Sequence, residues 1–137
     1  MTKVFIDTSV FIRFLTQDNQ QKFEQCAKFF ELIEQGKLRP YTSNIVILEI
    51  QFVLTRLYSF PKDKVLSDIN KLLSLRNLIL VERTDSHKAL TIYKKYNVKY
   101  PDCLIVTQIP AGSKLVSYDN DFVKISTLAL STPADFS

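Results

Sequence analysis

Two kinds of hydrophobic pattern run along this chain. Short, mainly apolar runs stand at Lys3–Asp7, Leu78–Val81 and Leu115–Tyr118, each bounded by polar residues. Runs of that length read as buried strands. Between them, apolar residues recur at helical spacing. Ser9–Leu15 predicts a short helix. Gln20–Gln35 predicts a longer amphipathic one, with Phe23, Cys26, Ala27, Phe30 and Ile33 on one face and Gly36 as its C-cap. Asn44 is placed to cap a helix over Ile45–Tyr58, which is apolar on nearly every side and so is expected to be buried. Pro61 opens a helix with Val65, Leu66, Ile69, Leu72 and Leu73 on one face. Asp85 or Ser86 caps another, carrying Ala89, Ile92, Tyr93 and Tyr96, and Pro101 starts a last one reaching about Gln108. Pro40–Ser43 reads as an extended connection, and the tail from Phe122 as a short edge strand.

Short strands alternating with helices predict an α/β chain with a parallel sheet covered on both faces. Ligand sites in such sheets form at the carboxyl ends of the strands. With 137 residues and no linker, repeat or low-complexity segment, the chain is expected to be a single domain, 1–137. Apolar residues make up 46% and charged residues 23%, the balance of an ordinary globular protein, and no tract is suited to a membrane. The first strand carries Asp7 in place of a signal-peptide core, so the expected location is the cytoplasm. Cys26 and Cys103 sit among apolar residues and read as buried thiols without zinc-ligand spacing. The single histidine, His87, lies on a polar stretch, so the chemistry must proceed without a histidine cluster. Net charge is +4, compatible with a polyanionic partner.

The acids are what change the picture. Asp7 directly follows Val4-Phe5-Ile6, and Asp119 closely follows Leu115-Val116, where a parallel sheet opens its crevice. Glu49 has Ile45, Val46, Phe52 and Val53 at helical neighbour positions, an expensive setting for an unpaired charge. Asp102 opens a helix whose next turn brings Ile105 and Val106. Each acid also has an ordinary explanation. Asp7 can cap a helix, Asp102 can favour a helix dipole, Asp119 can make an Asx turn, and Glu49 can pair with a buried arginine. If the four converge, two carboxylates about 5 Å apart repel by about 3 kcal/mol at an effective dielectric near 20. A divalent cation relieves that, and all-oxygen ligands suit Mg²⁺ or Mn²⁺.

Four segments in order, FIDTSVFIRF, TSNIVILEI, KYPDCLIVTQI and LVSYDNDF, resemble the PIN-domain nucleases. Within that family they resemble the VapC-type toxins of toxin–antitoxin pairs. The resemblance covers almost the whole chain and implies a three-layer PIN-like fold, with acids gathered at one end of a parallel sheet. It maps the family's acids to Asp7, Glu49, Asp102 and Asp119. Asp7, Asp102 and Asp119 would bind metal, and Glu49 would bind it through water or orient the nucleophile. Ser9, Ser43 and Asp121 match positions that support the ligands. The family precedent is cleavage of RNA to a 5′ phosphate and a 3′ hydroxyl with Mg²⁺ or Mn²⁺. Cys103 stands where a small apolar residue is usual, and Ile109-Pro110-Ala111-Gly112 is expected to break the last helix early and alter the rim of the site.

The resemblance further implies an antitoxin partner and a homodimer. The cluster Phe11, Phe14, Phe23, Phe29 and Phe30 supports an interface, since one small core does not hold all five. Haloacid-dehalogenase-type phosphatases need a second aspartate where this chain has Ser9, and receiver domains need adjacent acids after the first strand. The remaining alternatives are a PIN nuclease acting in RNA or DNA processing outside a toxin pair, and a PIN module that binds without cutting.

Overall fold

The computed structural model describes residues 1–136. Five strands, β1 (Thr2–Ile6), β2 (Leu38–Ser43), β3 (Ile79–Val81), β4 (Lys114–Val116) and β5 (Leu130–Ser131), form one sheet in the order β3-β2-β1-β4-β5. Every pairing is parallel. Six helices accompany it: α1 (Thr8–Thr16), α2 (Gln20–Glu34), α3 (Asn44–Arg56), α4 (Lys62–Leu73), α5 (Ser86–Lys95) and α6 (Tyr100–Gln108). From β1 the chain steps outward to β2 and β3, then returns to the other side of β1 for β4 and β5. The order therefore reverses between β1 and β4, and a crevice opens beyond their carboxyl ends.

The main core lies under this sheet. Phe5, Ile6, Val10, Phe29, Ile50, Leu54, Ile105, Leu115 and Phe122 are all fully buried in it. A smaller cluster joins Ala89, Ile92, Val98, Cys103 and Ile125 between α5, α6 and the segment after β4. Local chemistry sets the boundaries. The Asn19 side chain accepts from the Lys22 amide at 3.0 Å to start α2. Gly36, at φ +75°, ends α2 as expected. Its amide donates to the Ile33 carbonyl and that of Lys37 to the Leu32 carbonyl, a glycine cap that satisfies both carbonyls.

Four expectations change. Pro40–Ser43 is more than a connection: β2 begins at Leu38 and lies next to β1 in the sheet. Pro40 pairs with Val4, but β3 pairs only from Tyr41 onward, so Pro40 has a neighbour on one side alone. A strand tolerates a residue without an N–H there. β3 is an edge strand and not a buried one, with Ile79 40% exposed. α3 is not buried all round. Val46, Ile50 and Leu54 face the core, while Leu48 and Phe52 are exposed. Its N-cap is Ser43, one residue before the expected Asn44.

The phenylalanines of the first two helices find places of their own. Phe11, Phe29 and Phe30 are buried. Phe14 and Phe23 are half-buried and stack on each other, with Phe14 also 4.8 Å from Phe30 by ring centroids. Exposed large apolar side chains lie on other elements, among them Leu48, Phe52 and Leu57 on or beside α3 and Leu66 on α4.

Candidate active site

β1 ends at Ile6, and Asp7 is the next residue. Its backbone N–H still bonds the Val116 carbonyl of β4 at 3.0 Å, so the strand pairing carries Asp7 to the crevice. There Asp7 does two things at once. It caps α1, and its Oδ2 accepts from the Ser9 hydroxyl at 3.0 Å and the Ser117 hydroxyl at 2.7 Å. Only 3% of Asp7 is exposed. Burial pushes its pKa up, and the hydroxyl and amide donors of Ser117, Thr8 and Ser9 oppose that rise.

The same two serines shape the end of β4. The Ser9 hydroxyl accepts from the Tyr118 amide at 2.9 Å, and the Ser117 hydroxyl accepts from the Asp119 amide at 2.9 Å. These bonds turn the chain out of the strand after Val116, two residues before the expected end at Tyr118. They also deliver Asp119 beside Asp7. Asp119 then caps a short 3-10 turn, its Oδ1 accepting from the Asp121 amide at 2.9 Å.

Glu49 comes from α3 and leans toward α1, where the Thr8 hydroxyl donates to Oε1 at 3.0 Å. Burial raises its pKa, and Asp7 and Asp119 add to the rise. Asp102 sits in the first turn of α6 and is 2% exposed. Its Oδ2 is buried with no hydrogen-bond partner. Burial, followed by the charges of Asp7, Asp119 and Glu49, pushes its pKa up to about 8, with Lys99 pulling the other way.

Asp7, Glu49, Asp102 and Asp119 line one cavity of about 250 Å³, together with Thr8, Ser9, Arg13 and Lys99. The four acids read from the sequence therefore come together at the carboxyl ends of β1 and β4. Among the described residues, Asp102, Asp119 and Asp121 also offer carboxylate oxygens within 4.8 Å of one another, a spacing that suits a cation. Asp102 and Asp119 belong to both groupings. Asp121 is itself paired with Lys124 at 3.0 Å.

Other expected residues fall elsewhere. Ser43 is fully buried at the end of β2, its hydroxyl without a partner, and does not line the cavity. The Ile109–Gly112 segment does end α6, but at the end opposite Asp102. It borders a separate cavity with Lys88 and Leu128, so it does not form the rim of the acidic site. Cys103 packs in the smaller core, and His87 is exposed on α5.

Sequence reading did not find two participants. Ser117 was hidden as one more residue of a strand run, although a hydroxyl directly after a strand, two before Asp119, was the signal. Lys99 was hidden among scattered lysines, although its i,i+3 spacing to Asp102 was visible. Its Nζ lies 3.9 Å from Glu49 Oε2 and 4.0 Å from Asp102 Oδ1. Burial lowers the Lys99 pKa, but Asp102, Glu49, Asp119 and Asp7 outweigh it and hold the ammonium charged.

Comparison with known proteins agrees with this geometry. No curated protein sequence matches the chain. Two solved structures share the fold over nearly the whole length. One is VapBC2 from Rickettsia felis bound to a DNA fragment from their promoter, at 18% identity and a TM-score of 0.65, covering 96% of this chain and 98% of that one. The other is DNA-bound VapBC from Salmonella typhimurium, at 16% identity and a TM-score of 0.74, covering 97% and 99%. The PIN domain family matches residues 4–128, nearly all of the sheet and all six helices. With that match spanning the acids at both strand ends, the chain belongs to the PIN-domain family.

Proposed function

We propose that the chain is a divalent-metal-dependent endoribonuclease, the toxin of a VapBC-type pair. The observation that carries this reading is Asp102. A carboxylate that is buried, leaves one oxygen without a partner and faces three other acids is costly unless a cation completes it. The donor set is all carboxylate oxygen, which suits Mg²⁺ or Mn²⁺ over softer-ligand metals. Asp7, Asp102 and Asp119 would hold the ion, with Glu49 binding directly or through water and Asp121 close enough to Asp102 and Asp119 to share. When bound, the metal would supply Lewis-acid polarisation of the phosphate and a more acidic water.

The chain's own residues do the positioning. Ser9 and Ser117 fix the Asp7 carboxylate through its Oδ2. Thr8 fixes Glu49 through Oε1, leaving Oε2 to orient the attacking water and take its proton. His87 is exposed and outside the cavity, so no histidine serves to activate a ribose 2′ hydroxyl. Attack of a water on the phosphate, the route this reading adopts, would give a 5′ phosphate and a 3′ hydroxyl.

VapBC complexes are toxin–antitoxin pairs, and both similar structures are of that kind. On the other side of α1 from the acids, Phe11, Phe14, Leu15, Ala27, Phe30 and Leu72 line an apolar groove of about 430 Å³. On this reading an apolar segment of an antitoxin would dock there. A homodimer would use the exposed Leu48, Phe52 and Leu66 of α3 and α4. The test of the central reading is cleavage of a 5′-labelled single-stranded RNA after EDTA treatment and after adding back Mn²⁺. Cleavage only with metal, leaving 3′ hydroxyl ends, supports it. Metal-independent cleavage, or 2′,3′-cyclic phosphate ends, would overturn it.

A further inference from the structure

Two cations line the acidic cavity, Arg13 and Lys99, and they are engaged differently. Arg13 Nη1 lies 3.1 Å from Asp18 Oδ1, and the Tyr58 hydroxyl donates to the other oxygen of Asp18 at 2.6 Å. Asp18 does not line the cavity, so Arg13 is balanced by an acid outside the site. Lys99 has no such partner. Among the described residues its ion pairs are with Glu49 and Asp102, two of the acids expected to face the metal.

The distances place the ammonium at the mouth. At 3.9 and 4.0 Å from the two carboxylates, Lys99 Nζ is beyond hydrogen-bond reach of both. A directly coordinated Mg²⁺ would lie about 2 Å from its oxygens, so Lys99 does not stand where the ion would. Its side chain is 55% exposed, against 2% for that of Asp102. The charge therefore lies on the solvent side of the acids, where a polyanion arrives. Its backbone is fixed, because the Lys99 carbonyl accepts from the Asp102 amide at 3.1 Å and the Cys103 amide at 3.3 Å. Only the side chain is free to turn.

We propose that Lys99 is a substrate-positioning residue that holds a non-bridging oxygen of the phosphodiester, and that metal loading is what frees it to do so. Before loading, its charge is shared with Glu49 and Asp102. Once a divalent ion takes up those carboxylates, the ammonium has no other close ion pair among the described residues, and the approaching phosphate takes that place. The cation and the RNA then bind in a favoured order, ion first. This inference rests on the nuclease reading above.

The test compares wild type, Lys99→Gln, Lys99→Arg and Lys88→Gln. Lys88 is exposed on α5 and borders a different cavity, so its variant controls for the loss of one positive charge. In Mn²⁺, Lys99→Gln should raise KM for single-stranded RNA about tenfold, with kcat changed much less. The dependence of log(1/KM) on log salt should flatten by about 0.7, the value for one phosphate contact on a single strand. Lys99→Arg should restore most of both, and Lys88→Gln should change neither. Mn²⁺ should still raise the melting temperature of Lys99→Gln at least as much as wild type, because the metal site loses only a repelling neighbour. Fluorescence anisotropy of RNA binding, in EDTA and in Mn²⁺, gives the same comparison without catalysis. The Lys99 contribution should be present in Mn²⁺ and absent in EDTA. An unchanged KM and salt slope in Lys99→Gln would overturn the proposal, as would loss of its Mn²⁺ stabilisation. If wild type proves inactive on RNA, the nuclease reading fails, and the anisotropy series still decides the role of Lys99.

Discussion

Helix α1 divides two regions built on opposite principles. On one side, Thr8, Ser9, Ile12 and Arg13 face the acidic cavity with Asp7, Glu49, Asp102 and Asp119. On the other, Phe11, Phe14 and Leu15 face the apolar groove with Ala27, Phe30 and Leu72. The groove is held by ring stacking and core packing, with Phe11 and Phe30 5.6 Å apart by centroids. Those contacts favour folding outright. The acidic side concentrates like charge and keeps a buried oxygen unpartnered. On the proposed reading, a bound cation offsets the cost of that arrangement. One short helix thus separates a surface suited to an apolar partner from a site suited to a metal, and damage to one should leave the other intact.

The largest expected effect is on the acidic side. Asp102→Asn should lower RNA cleavage by at least about a hundredfold. It should leave binding of a cognate antitoxin, measured by calorimetry, within about twofold. Equal losses in both would show that the two regions are not independent. The reciprocal change is Ala27→Arg, which fills the groove from the half-exposed surface of α2 and places its cation one turn before Glu31. It should weaken antitoxin binding by about 2 kcal/mol, near thirtyfold. Cleavage by the free protein should stay near wild type.

The comparison also has a pH signature. The folded-state pKa of Asp102 is raised to about 8, above its unfolded value. Below about pH 4 the carboxyl is protonated folded or unfolded, and no penalty arises. As pH rises from there toward 8, the unfolded state ionises first and the metal-free fold loses stability. Asp7 and Glu49 are shifted in the same direction. In EDTA, wild type should therefore melt lower at pH 8 than at pH 5.5 as far as this site is concerned. Asp102→Asn should remove part of that drop, by about 1–3 kcal/mol at pH 8. A wild-type melting temperature no lower at pH 8, with no gain in the variant, would argue against clustered acids. The smallest effect expected is from Ser117→Ala, which removes the 2.7 Å bond to Asp7 and should cost about 1 kcal/mol of stability and several-fold in cleavage.

The contrast between the regions also explains what was legible in the sequence. Asp7 and Asp119 stand out because a strand end fixes where a residue emerges, and Glu49 because an acid among apolar neighbours needs a reason. Helix α2 announced itself through periodicity and Gly36. β2 is hard to see in the sequence because Pro40 argues against a central strand, and only the short reach of β3 makes room for it. The aromatic surplus reads as a patch; α1 and α2 bury part of it by stacking on each other and leave Phe11, Phe14 and Phe30 lining a groove, while α3, apolar on nearly every side, keeps Leu48 and Phe52 in solvent. Ser117 meets Asp7, and Lys99 meets Glu49, only because the fold brings residues far apart in the chain together. Periodicity carries no such information.

The most direct measurement of the central claim is Mn²⁺ titration by calorimetry into protein stripped with EDTA, at neutral pH, for wild type and Asp102→Asn. The account predicts saturable binding to wild type and loss or severe weakening in the variant, whose circular dichroism stays native. Binding of equal strength to both, or none to wild type, would contradict the claim that these acids form one shared metal site.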